Sequence, residues 1–323
     1  MTRGFLLGKF LPPHLGHVFL CDFAAARVDR LTVLLCSLPG DPIPGDVRLG
    51  WMRALVPGAR VVHLDRPDVP QRPEDHPDFW AIWRDIVGAF HPEPVDMVFA
   101  SESYGHRLAS EVGARFVPVD PLRQAVPVAG SAILADPFRH WAFVPAPVRP
   151  WFVRRVVLFG PESSGKTTLA RLLAERLQTT WVPEYARTHT DAFGTAIDEP
   201  ALAAIVAGHS AASAAARRSA NRILVEDTDP VLTAVWAEML LGRRPDWLTA
   251  FDDPADLYLL TGIDVPWDDD GTRYFADAAT RARFHRLCEA ELQRRGLDYV
   301  ALEGPADDRL SVALAAIRAR FGV

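Results

Sequence analysis

Residues 160–168, GPESSGKTT, constrain what this chain can fold into more than any other stretch. The run satisfies G-x-x-x-x-G-K-[ST] and lies between an apolar, β-branched segment, RVVLF at 155–159, and the helix-forming TLARLLAERL that starts at Thr168. Strand, glycine-rich turn and helix, in that order, can wrap backbone N–H groups around a phosphate and aim a helix N-terminus at it. Gly160 and Gly165 then allow the turn, while Glu162, Ser163, Ser164 and Thr168 form its sides. Lys166 reaches the β- and γ-phosphates, and Thr167 offers a hydroxyl to Mg²⁺. The competing reading is a plain glycine turn, which does not explain why both flanks have the required pattern.

A phosphate loop needs a carboxylate near its metal, usually from the end of a neighbouring strand. ILVEDTDP, 223–230, supplies Glu226, Asp227 and Asp229 directly after an apolar run, and Asp227 is the expected metal-side carboxylate. A capped acidic turn is the bland alternative. Further short apolar runs at 256–260 and 297–302 read as strands, and 167–177, 200–220, 281–295 and 310–320 as helices. Such alternation predicts a parallel α/β sheet over residues 151–323.

The first half repeats the layout. Strand-length runs at 5–7, 30–36, 59–64 and 95–100 alternate with helix-compatible stretches at 18–26, 47–55, 79–90 and 105–112. Pro137, Pro145, Pro147 and Pro150 crowd a segment that also holds Phe138, Trp141, Phe143 and Trp151. Prolines this dense forbid a long helix or a central strand, so a domain joint is expected at about residue 150. With 323 residues, two domains is also the prior from length, 1–150 and 151–323.

GKFLPPHLGH, 8–17, is the second chemical constellation. Gly8 follows a strand, and His14 and His17 are three apart ahead of a helical run, so they share a face at its start. This suits phosphate oxygens and the charge that develops on them. Two surface histidines on a turn, or half of a metal site, remain alternatives.

Composition narrows the partners. Forty-one acidic against 35 basic residues, net charge −6, argue against a protein that coats nucleic acid, though not against a small anionic ligand. Three cysteines at 21, 36 and 288 make no disulfide framework and no four-cysteine metal site. The N-terminal residues lack a signal-peptide pattern and charges interrupt every apolar run, so a cytoplasmic protein without membrane insertion is expected. Its oligomeric state is open, a homo-oligomer included.

Residues 8–17 match the GxFxPxHxGH signature of nucleotidylyltransferases. Their details resemble the nicotinamide mononucleotide (NMN) adenylyltransferase domain of bifunctional NadR-type proteins. The resemblance implies a Rossmann-like nucleotidylyltransferase fold in which Gly8, Lys9, Phe10, His14, His17 and Ser131 bind ATP, with the histidines stabilising the transition state. VRLGWM, with Arg48 and Trp51, resembles the family's RxxW helix near the nicotinamide site, and SESYGHRLA, 101–109, resembles its SExYGxxLA stretch. The family's second phosphate motif, SGTxIR, reads AGSAIL here: Ser131 takes the threonine's place and Leu134 the arginine's. Leucine cannot supply an arginine clamp, so the expectation is weakened adenylyl transfer unless Arg123 or Arg139 reaches in.

The second half resembles the ribosylnicotinamide kinase domain of the same family. The likeness rests on PESSGKTTLA, WVPEYAR (181–187), EDTDP and DVPWDDDGTR (264–273). It implies a P-loop kinase fold in which Glu184, Arg187, Asp229, Trp267 and Arg273 bind the riboside or form a lid, and Asp227 orients the acceptor hydroxyl. From pattern alone, 264–273 could equally be an acidic solvent loop. The implied substrates are nicotinamide riboside, NMN and ATP, with Mg²⁺. Some relatives begin with a helix-turn-helix domain; this chain starts at its first strand, so no operator binding is expected. Two competing hypotheses are a kinase with a non-catalytic first domain, and a nucleotide-gated regulator without turnover.

Overall fold

A computed structural model describes residues 1–266 and 274–323. Trp267, Arg273 and the rest of the segment between them lie outside the described residues. Contacts divide the chain into two compact units, Met1–Arg149 and Pro150–Val323.

In the first unit β1 (Arg3–Gly8), α1 (Leu15–Ala25), β2 (Arg30–Ser37), α2 (Gly45–Leu55), β3 (Arg60–Asp65), α3 (Phe79–Phe90), β4 (Met97–Ala100), α4 (Tyr104–Glu111), β5 (Arg115–Pro118) and α5 (Gly130–Ala135) follow in order. All strand pairs are parallel, in the spatial order β3-β2-β1-β4-β5. Core residues occupy both faces, with Leu6, Val33 and Leu35 in one layer and Phe5, Leu34 and Val98 in the other. Such strands read as continuous apolar runs because parallel strands are covered on both sides. The order reverses between β1 and β4, and the crevice beyond their carboxyl ends is where open α/β sheets bind ligands.

The boundary between units falls within a four-residue helix, α6 (Arg149–Phe152). The second unit continues with β6 (Arg154–Phe159), α7 (Lys166–Arg176), β7 (Trp181–Val182), α8 (Tyr185–Phe193), α9 (Glu199–Ala216), β8 (Ile223–Asp227), α10 (Pro230–Leu241), α11 (Asp246–Thr249), β9 (Leu257–Thr261), α12 (Ala278–Arg294), β10 (Tyr299–Leu302) and α13 (Ala306–Phe321). The sheet order is β10-β9-β6-β8-β7, again parallel, with the GPESSGKTT loop leaving the central strand.

Two local differences from expectation bear on the sites. Glu226 and Asp227 belong to β8 itself, where the sequence suggests a turn after the strand, and both are fully buried. Successive residues of a strand point to opposite faces, so the two carboxylates are sent to different neighbours. In the first unit, α1 starts three residues earlier than its apolar pattern suggests, because His14 caps it. Among the described residues, no helix is long and apolar enough to cross a membrane.

Candidate functional site

In the first unit, His14 and His17 form a reciprocal cap. His14 Nδ1 accepts the Gly16 N–H at 3.1 Å, and His17 Nδ1 accepts the His14 N–H at 3.3 Å. Because each Nδ1 accepts, each imidazole carries its proton on Nε2, which is left as a directional donor. The rings lie 3.8 Å apart between centroids, and Phe10 meets His17 edge-on at 4.9 Å. Burial, then the charge of Arg123, pushes His14 down to about 4. His17 falls well below the ordinary imidazole range through burial, His14 and Arg123. Both are therefore neutral donors at physiological pH.

A cavity of about 910 Å³ opens on this cap. Gly8, Lys9, Phe10, His14, His17 and Ser131, all expected at an ATP site, are in its wall. A Cβ on Gly130 would lie 2.5 Å from the Leu11 carbonyl oxygen, so only glycine lets the 129–131 segment close on the FLPP loop. Leu134 lines the same wall, and so does Arg123. Arg139 does not; its backbone N–H donates to Asp136 Oδ1. Trp80, Trp83 and Tyr104 add aromatic side chains to the cavity wall, and of these only Tyr104 falls within a quoted motif, SESYGHRLA.

Arg48 and Trp51, expected beside a nicotinamide, are not part of that wall. Arg48 is fully buried: its guanidinium donates to the Lys9 carbonyl, to Cys36 O at 3.4 Å and to Asp41 Oδ2 at 2.5 Å. It fastens α2 to the loop after β1 and so fixes the loop from behind. Among the described residues no cluster of three or more His, Cys, Asp or Glu is placed to hold a metal, so the two histidines find no third ligand there.

In the second unit the P-loop is a built cradle. Gly165, φ +84°, caps α7, and Gly160, φ +140°, would place a Cβ 2.5 Å from Thr261 Oγ1. Ser164 Oγ donates to Pro161 O at 2.7 Å and lies 2.7 Å from Thr261 Oγ1, so its hydroxyl ties the loop to the end of β9. Arg309, buried on α13, donates to Ser164 O at 2.8 Å and pairs with Asp264, which fastens the loop to α13. Lys166 Nζ donates to Pro161 O at 2.7 Å. Glu162 lines the cavity beside the loop, and its carboxylate accepts the N–H groups of Tyr274 at 3.0 Å and Phe275 at 2.5 Å.

Thr167 Oγ1 donates to Asp227 Oδ2 at 2.5 Å, while Asp227 Oδ1 is buried without a protein partner. Burial and then the charge of Glu184 push Asp227 up to about 6, against the pull of Lys166, Thr167 and Arg187. A threonine hydroxyl and a carboxylate oxygen with a free lone pair are the hard donors that Mg²⁺ takes. The strand's alternation sends Glu226 elsewhere. Arg155 grips it at 2.9 and 3.1 Å, His209 Nε2 lies 3.2 Å away, and Ser213 Oγ donates at 2.6 Å.

Beside the loop is a cavity of about 300 Å³. Glu184 and Arg187 line it with the P-loop residues, 3.2 Å from each other. Asp229, expected at the riboside, is instead structural: it caps α10 by accepting the Leu232 N–H at 3.0 Å and the Tyr258 hydroxyl at 2.7 Å. Trp267 and Arg273 lie outside the described residues. Sequence motifs miss His209, Thr233 and Trp236 of this wall, and WVPEYAR passes through Tyr185 without giving it a role. The one available signal was the 3- and 4-residue spacing of Leu202, Ile205 and His209 along the buried stripe of α9.

Residues 155–309 match a family model described as an AAA domain. Over 325 aligned positions the chain is 29% identical to the trifunctional NAD biosynthesis/regulator protein NadR of Escherichia coli (strain K12), covering 94% of this chain and 79% of that protein. It is 28% identical to the protein of the same name from Salmonella typhimurium (strain LT2), covering 92% and 78%. Two solved structures share its fold at 22% identity: NadR protein in complex with NR, TM-score 0.81, and NadR protein in complex with NAD and AMP-PNP, TM-score 0.80. Each covers 100% of this chain and 96% of its own.

Proposed function

We propose that the second unit, residues 151–323, is a ribosylnicotinamide kinase and the first, residues 1–150, an NMN adenylyltransferase, acting in sequence from nicotinamide riboside to NAD. The observation that carries the reading is the P-loop with Thr167 held 2.5 Å from the buried Asp227, beside a cavity walled by Glu184, Arg187, Tyr185 and Trp236. The names of the relatives support it, as do the titles of the structures that share the fold.

In the kinase, the riboside 5′-hydroxyl attacks the γ-phosphorus of ATP, giving NMN and ADP and releasing one proton. The loop N–H groups and Lys166 stabilise the charge on the equatorial oxygens. Asp227, with Glu184 beside it, orients the hydroxyl, whose proton is released to solvent. Thr167 and Asp227 would hold Mg²⁺, which when bound neutralises charge shared by the β- and γ-phosphates. The apolar and aromatic wall around Trp236 suits a flat ring and keeps water from competing for the phosphoryl group.

In the transferase, an NMN phosphate oxygen attacks the α-phosphorus of ATP and pyrophosphate leaves. His14 and His17 donate from Nε2 to phosphate oxygens as charge develops there, and the aromatic side chains of the cavity wall receive the nicotinamide. Leu134 in the wall favours a second reading, in which this unit binds nucleotide without turning it over. Product analysis of the full chain with nicotinamide riboside and MgATP decides. NAD is expected, NMN alone selects the second reading, and no product at all sinks the kinase assignment.

A further inference from the structure

The cavity of the first unit needs a positive charge that its neutral histidines do not supply. Lys9, Arg107 and Arg123 are the cations in its described wall. Arg107 is committed elsewhere: Nε donates to Glu111 at 2.8 Å and the guanidinium lies over the Trp80 ring at 5.8 Å. Lys9 is an exposed ammonium on a flexible stem.

Arg123 is placed differently. The Asp120 carboxylate accepts the N–H groups of Gln124 at 2.7 Å, Ala125 at 3.0 Å and Val126 at 3.4 Å, and so organises a tight turn. Both Asp120, φ +45°, and Arg123, φ +52°, sit in the left-handed region that non-glycine residues seldom occupy. Three hydrogen bonds to one carboxylate hold that backbone, and strain over-determined by its surroundings collects where geometry matters. The turn delivers Arg123 to the wall that carries His14, His17 and Ser131, and its charge reaches both imidazoles. Its own contacts are slack: Nη1 to Val128 O at 3.4 Å and Nη2 to Glu102 at 3.7 Å. A phosphate offering two oxygens at ordinary hydrogen-bond distance outcompetes both.

We infer that Arg123, held by the Asp120 turn, grips the pyrophosphate portion of the nucleotide in this cavity and supplies the fixed charge that Leu134 cannot. The inference rests on the adenylyltransferase reading of the first unit. It divides the labour: two neutral imidazoles aim N–H donors, and one guanidinium carries the charge.

The test uses the full chain with labelled histidine rings, titrated with inorganic pyrophosphate and read at the His14 and His17 resonances, alongside pyrophosphate release from MgATP and NMN. Pyrophosphate is expected to shift both resonances. Arg123→Ala should weaken that binding at least tenfold and raise KM for ATP by a similar factor. Arg123→Lys should recover only part, and adding Leu134→Arg to Arg123→Ala should recover most. Rescue from position 134 separates loss of charge from a damaged turn, since an arginine there repairs no backbone. Unchanged pyrophosphate binding in Arg123→Ala, or no rescue by Leu134→Arg, overturns the inference. Binding at the histidines that depends on Arg123, without any release from ATP and NMN, removes the adenylyltransferase reading and leaves Arg123 as the anion's ligand.

Discussion

Asp227 shows how a site residue is kept in a state the fold alone would not choose. Its carboxyl is raised to about 6 from an ordinary 3.8, chiefly by burial. A raised acid binds a proton more tightly in the folded chain than in the unfolded one, so folding stability falls as pH rises between those two values. Above pH 6 the ionised, Mg²⁺-free site therefore costs about 3 kcal/mol, taking 1.36 kcal/mol per pH unit. Asp227→Asn keeps an acceptor for Thr167 Oγ1 and abolishes the charge. Urea denaturation without Mg²⁺ should show the variant more stable than the parent by up to about 3 kcal/mol at pH 7, with the difference gone below pH 4. Riboside phosphorylation should drop by about two orders of magnitude or more in the same variant. A variant that is less stable at pH 7 would mean that the carboxylate is satisfied inside the fold, and would remove the reason for placing a cation there.

At the scale of elements, the sites are made where helices and strands are pinned together, and this decides how much of them is legible in a sequence. The P-loop is legible because nine consecutive residues carry it, and β8 because an apolar run ends in acids. What distinguishes Glu226 from Asp227 is strand alternation, visible only once the strand is known to reach Asp227. Glu226 fastens β8 to β6 and α9. Burial alone would raise its carboxyl, but His209 and Arg155 carry it down to about 2. Its contribution is therefore complete above about pH 4.5 and lost as pH falls toward 2. Glu226→Gln leaves Arg155 without a buried counter-charge, and chemical denaturation at pH 7 should register a loss of about 3–5 kcal/mol. Gly208 is a second pin. A Cβ there would lie 2.0 Å from the Tyr185 ring, so α9 accepts a glycine in its interior to let α8 approach. Gly208→Ala gains about 1 kcal/mol of helix propensity yet forces the ring away. The expected result is a several-fold higher KM for riboside with KM for ATP little changed, checked by initial-rate kinetics. Arg48 marks the limit of reading by resemblance: the likeness to an RxxW helix implied a place beside a nicotinamide, whereas its side chain is buried behind the loop, bound to Asp41 and the Lys9 carbonyl. The Asp120 turn and the α9–α10 wall were illegible for a related reason, since their members lie far apart in the chain or adopt backbone angles that no propensity announces.

Across the whole molecule the same device occurs twice: in each unit a glycine-bearing loop leaves the carboxyl end of a central parallel strand, β1 in one and β6 in the other, and leads into a helix. The proposed reactions attack different phosphorus atoms of ATP, γ in one and α in the other, so one bound ATP cannot serve both. Two loops with unlike chemistry follow from that need. On that reading Lys166 would bring a charge to a departing γ-phosphoryl group, whereas His14 and His17 would bring neutral donors to the charge that develops during adenylyl transfer. Separate sites imply separable losses. Lys166→Ala should form no NMN from riboside yet still convert NMN to NAD at close to the parent rate. His17→Asn should convert riboside to NMN and stop, with adenylyl transfer lowered by about 10²–10³. Mixed in equal amounts with riboside and MgATP, the two variants should restore NAD formation after a lag that shortens as protein concentration rises, because NMN has to leave one molecule and enter another. Chromatography of nucleotides over time distinguishes the outcomes. A mixture that never makes NAD, while the parent chain does, would show that NMN is not released between the steps and that the two sites do not work as independent enzymes.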